Sequence, residues 1–167
     1  MSGSYIFLLH LLGFSLVSAA VITGTLLNRK LTKEKDYSLK LYLGGLMRSI
    51  SMAAPVTALI LLVSGIGNIY NRNLGAPIAW YEESWLVVKI ILFAIMLVNG
   101  TIFGPSLAKK RMQVIKALSE TAAPEDAEQQ LAFLNKQLNW FFLVQNILLI
   151  GITFFSAFGT SKHPGVF

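Results

Sequence analysis

Residues 85–107 read WLVVKIILFAIMLVNGTIFGPSL, and Lys89 is the only charged side chain in the run. At about 1.5 Å per residue a helix of this length crosses the roughly 30 Å hydrocarbon core of a bilayer. In hydrocarbon each backbone N–H and C=O must bond within its own segment, so the run is read as a transmembrane helix. Three more runs of the same kind occur at 5–27, 41–70 and 140–158. The expected fold is all-α: a four-helix transmembrane bundle with antiparallel neighbours and helical cytoplasmic extensions, occupying 1–167 as a single membrane domain.

The composition agrees with that reading. Of 167 residues 54% are hydrophobic and 13% charged, against about 25% charged in an ordinary soluble domain. The absence of cysteine excludes disulfides, thiolate metal sites, iron–sulfur ligation and cysteine nucleophiles. The first run is too long for a signal-peptide core and Met1 to Ser4 carry no Lys or Arg, so it is read as a span.

The net charge of +6 has a topological meaning. Arg29, Lys30, Lys33, Lys35 and Lys40 follow the first span, and Lys109, Lys110, Arg111, Lys116 and Lys136 lie between the third and fourth. The opposite side carries Arg72 and Lys162. By the positive-inside rule both basic loops are expected in the cytoplasm and both termini outside. Trp80, Tyr81 and Trp85 fit an outer aromatic belt and Trp140 an inner one. No aromatic–basic platform or helix-turn-helix pattern is present, so the lipid bilayer, not nucleic acid, is the expected partner. A second copy or other membrane subunits are further partners to consider.

Within the last polar stretch, Pro124 followed by Glu125, Asp126 and Glu128 reads as the start of one long helix continuing to Ala157. Gly104-Pro105 should kink the third helix or mark its exit. Gly13, Ser18, Gly24, Gly44, Gly65 and Gly100 are read as close-packing positions, and Met47, Met52 and Met96 as filler.

Ionisable and amide side chains inside the spans are costly, at roughly 3 kcal/mol for a charge, and are therefore the candidate site residues. His10 and Lys89 lie near the outer ends of the first and third spans, level with Tyr81, Glu82 and Glu83. They could form a proton-handling or ligand site, with His10 as acid, base or axial ligand and Lys89 as anion anchor. The plainer alternative has Lys89 snorkelling to the headgroups or onto Glu82 or Glu83, and His10 bonding a neighbouring helix. Arg48, Asn99, Gln145 and Asn146 share one depth, about two turns from the cytoplasmic end, on three different spans. They could line a pocket for a carboxylate, propionate or lipid phosphate with Arg48 as the fork. The alternative is a hydrogen-bond network needing no ligand.

Three stretches together carry a resemblance. The first span reads Leu9-His10-Leu11-Leu12-Gly13, the second ends Pro55…Leu61-Leu62-Val63-Ser64-Gly65, and the third runs from Trp85-Leu86-Val87-Val88-Lys89 to Gly104-Pro105. Over roughly residues 5–107 this resembles the superfamily of small bacterial membrane proteins containing the HemJ-type protoporphyrinogen oxidases and the copper-resistance D-like proteins. It looks nearest to a family of four-helix members without assigned function. The resemblance implies a bacterial inner-membrane location and haem b held by histidines on the first and third spans. His10 matches the first-span histidine and Lys89 the third-span lysine. Near Asn99 or Gly100, where a second ligand belongs, this chain has no histidine, so haem here would rest on His10 alone or with His163. The functional classes carried forward are a membrane protein binding haem b or another small hydrophobic or acidic ligand between its helices, a non-catalytic assembly subunit, and a small transporter. A membrane oxidoreductase is implied only if the resemblance extends to activity.

Overall fold

The computed structural model of the chain describes residues 2–73, 80–120 and 124–162. It contains α1 (Ser2–Lys33), α2 (Tyr37–Met52), α3 (Ala54–Asn73), a 3-10 turn (Trp80–Glu82), α4 (Ser84–Val98), a π turn (Asn99–Phe103), α5 (Gly104–Ser119) and α6 (Ala127–Lys162). No strand occurs among the described residues. Four helical segments are long and apolar enough to cross a membrane: Ser4–Lys33, Tyr37–Tyr70, Ser84–Ser119 and Ala127–Ala157. Only 6 to 22% of their most apolar windows is buried, so most of the apolar surface faces outward, as lipid contact requires. The protein is an all-α four-helix bundle and a multi-pass membrane protein.

The helices reach beyond the apolar runs at the end that carries the basic loops, here called the basic end. α1 runs on to Lys33, and the first basic segment shrinks to residues 34–36. α2 restarts on a cap: Asp36 Oδ1 accepts from the Ser38 N–H at 2.8 Å and from its hydroxyl at 2.9 Å. Those bonds hold the Asp36 carboxyl below the usual carboxylate range. The expected long last helix is a single element, but it begins at Ala127, so Pro124 precedes it and does not lie in its first turn.

Spans two and three are both interrupted, and α2 and α5, the halves on the basic side, each have 16 residues. In span two the break is a turn at Ala53, after which Pro55 sits in the first turn of α3, where its missing N–H costs least. In span three Gly104-Pro105 does not end the helix. Pro105 cannot donate to the Thr101 carbonyl, and the preceding turn widens so that the Gly104 N–H reaches the Asn99 carbonyl.

The pairing of helices changes at these breaks. α1 packs most extensively on α3, and also on α2 and α6; α6 packs on α4 and α5; α2 packs on α5. At the basic end the four spans therefore close into a complete ring. Beyond the breaks α3 and α4 make no comparable contact among the described residues, leaving an open seam between them in the other half. Leu31, Leu43, Ile115 and Leu131, one from each of four helices, form the core of the closed end. Met96, Leu148, Leu149 and Ile152 form a second core where α4 meets α6. Two neighbouring rings of α6 fill hollows left by glycine. A Cβ at Gly24 would stand 2.8 Å from the Phe142 ring, and one at Gly104 2.6 Å from the Phe141 ring.

Candidate functional site

Polar side chains inside the bundle gather at three levels. Nearest the chain termini, His10 Nδ1 lies 3.0 Å from Ser64 Oγ across the α1–α3 interface. The Ser64 hydroxyl has one proton, and its 2.6 Å contact with the Ile60 carbonyl uses it. Ser64 Oγ is thus the acceptor and His10 Nδ1–H the donor, which leaves Nε2 with the lone pair in the neutral ring. Gly65 supplies space beneath the imidazole, its missing Cβ lying 3.4 Å from His10 Cε1. Lys89 of α4 stands within electrostatic reach of the ring and makes no hydrogen bond or ion pair among the described residues. Among the described residues Lys89 pairs with neither Glu82 nor Glu83, one branch of the plainer alternative: Glu83 Oε2 accepts from Trp85 Nε1 at 2.7 Å, and Glu82 is exposed. Along α1 the inward contacts diverge: His10 faces α3 while Gly24 faces Phe142 of α6.

The second level surrounds the π turn. Gln145 Nε2 donates to the Met96 carbonyl at 3.2 Å, so α6 supplies a donor to the backbone beside the irregular turn. Asn146 Nδ2 donates to Thr25 Oγ1 at 2.9 Å. Asn99 Nδ2 and Gln145 Oε1 are buried without a partner. Arg48, expected here as the charged fork, is exposed and bonds none of these amides. Depth along a helix fixes height but not direction. Arg48 flanks the buried face of α2, which consists of Lys40, Leu43 and Gly44.

The buried arginine is Arg111, at the third level, only 1% exposed. Its Nη1 donates to Asn28 Oδ1 at 2.6 Å and reaches Asn135 Oδ1 at 3.5 Å; Nη2 lies 3.6 Å from Met47 Sδ. Asn28 Nδ2 in turn donates to Asn139 Oδ1 at 2.7 Å. Among the described residues no carboxylate touches the guanidinium, and Nε has no partner. The cation is held by neutral dipoles drawn from α1, α2 and α6. Beside Lys109 and Lys110 it reads as part of a solvated basic patch. The available signal was its helical phase, shared with Gly104, Ile115 and Leu118.

Among the described residues no three His, Asp or Glu side chains come together. His163 lies outside the described residues. Comparison with family models, with curated proteins and with solved structures finds no match to this chain.

Proposed function

We propose that the chain binds a small hydrophobic or acidic ligand between its helices, in the half where α3 and α4 separate. The observation that carries this reading is the pose of His10. Its Nδ1–H is fixed by Ser64, leaving Nε2 as a lone-pair donor on an oriented ring, the arrangement that a ligating histidine needs. Lys89, unpaired and nearby, would anchor a carboxylate on the same ligand. The open seam gives a hydrophobic molecule a lateral way in from the bilayer.

Haem b is the specific candidate. His10 fits one axial position and Lys89 a propionate, while Asn99 and Gly100 sit in the π turn about 15 Å further along the third span and offer no second imidazole. When bound, haem would supply redox chemistry; the protein's part is ligation, orientation and exclusion of water. We also infer a bacterial inner-membrane location with the basic end in the cytoplasm, from the Lys/Arg asymmetry.

The test is an absorption spectrum of the full chain purified from haem-replete cells. A Soret band lost in His10→Ala, with helicity retained, supports the reading. No Soret band, together with stoichiometric co-purification of another membrane protein, favours the assembly-subunit class instead.

A further inference from the structure

A different surface, independent of His10, has the chemistry of a headgroup site. Between α5 and α6 at the basic end lies an open groove of about 480 Å³. The faces match on both sides. The π turn contributes Phe103 and α5 contributes Ser106 and Lys110, spaced about a turn apart, and α6 contributes Phe133, Lys136 and Trp140 in the same way. The helices run antiparallel, and Gly104 meets Phe141, so Phe103 and Trp140 lie toward the membrane. Ser106 and Lys136 lie in the middle, and Lys110 toward water.

The polar groups of this groove are unspent. Lys110, Lys136, Ser106 and the neighbouring Gln137 make no hydrogen bond or ion pair among the described residues, and no acidic residue lines the groove. The free Ser106 hydroxyl contrasts with those of Ser15, Ser18 and Ser49, each of which donates to a carbonyl one turn back. Two ammonium groups, a hydroxyl and an amide thus converge where the apolar span ends. Directly below them the exposed rings of Phe103 and Trp140 offer a surface for acyl chain.

We propose that this groove binds the headgroup of an anionic phospholipid, its phosphate between Lys110 and Lys136 and its chains descending past Phe103 and Trp140. Charge complementarity selects the occupant: two unpaired cations at the headgroup level, above an apolar strip, fit a lipid anion better than a zwitterion.

The experiment uses the full chain with Trp80→Phe and Trp85→Phe, so that Trp140 is the only tryptophan. It is reconstituted with brominated phosphatidylglycerol or brominated phosphatidylcholine, and Trp140 quenching gives the relative affinity of the two lipids. The expected result is a clear preference for phosphatidylglycerol that Lys110→Gln/Lys136→Gln abolishes, at about fivefold for each lysine. A charge-matched control, Lys30→Gln/Lys35→Gln, removes two exposed basic residues elsewhere and should keep the preference. Equal quenching by both lipids in the starting protein overturns the proposal. So does equal loss in the control, which would make the effect one of general charge. Loss of the preference in excess inorganic phosphate assigns the site to the free anion and overturns it too.

Discussion

Arg111 carries its charge into the bundle without a counter-ion among the described residues, and its neighbours determine what that costs. Asn28 Oδ1 at 2.6 Å is its best acceptor, and Asn28 is itself committed to Asn139. Replacing Arg111 by Ala leaves a hollow and strips Asn28 of a donor at a position 1% exposed, so a loss of about 3 kcal/mol is expected. Because the two side chains share one bond, Arg111→Ala/Asn28→Ala should cost less than the sum of the single changes. Thermal unfolding of the four proteins in one detergent measures this; strict additivity would show that the pair is not coupled. Lysine is no substitute at this position, since an ammonium lacks the fork that reaches Asn28 and Met47 together.

For individual elements, the close fit of α5 on α6 makes a sharper demand than hydropathy can express. Gly104 lies immediately after the π turn, and a methyl group there would meet the Phe141 ring at 2.6 Å. Gly104→Ala is expected to destabilise the protein by about 1–3 kcal/mol. Phe141→Leu in the same chain should recover part of that loss by clearing the ring; no recovery would mean that the backbone at the π turn, not the ring, resists the substitution. The same place shows what was legible in the sequence. The spans 85–107 and 140–158 could be read because hydrophobic length is a one-dimensional property. The continuation through Gly104-Pro105 could not, because a lone proline is equally compatible with a kink or an end until a neighbour such as Gln145 is seen bonding the adjacent backbone. Arg48 and Arg111 show the same limit. Counting residues set Arg48 level with Asn99, whereas its neighbour Met47 touches Arg111; burial also depends on direction around the helix, and the face of Ile115 and Gly104 belongs to Arg111. The pairing of His10 with Ser64 joins residues 54 positions apart, and no spacing rule reaches across that separation.

In the whole molecule, one end is closed by four helices and the other parts between α3 and α4. The closed end also carries the basic residues, so charge and packing coincide there. A reporter active only outside the cytoplasm, fused after Phe167, is expected to be active, and one placed between Ser119 and Pro124 silent. The reverse pattern would overturn the proposed orientation.

The polar knot at the closed end draws on residues far apart in the order of synthesis. Asn28 is made early, Arg111 two-thirds of the way along, and Asn135 and Asn139 only as α6 begins. A nascent chain that has inserted its first three spans therefore holds Arg111 and its best acceptor Asn28, but lacks Asn135 and Asn139. The last helix supplies the two remaining acceptors, Asn135 Oδ1 for Arg111 and Asn139 Oδ1 for Asn28. The ribosome thus delivers the closing partners last, and a chain cut short before residue 135 should present an incompletely bonded charge to the quality-control machinery of the membrane.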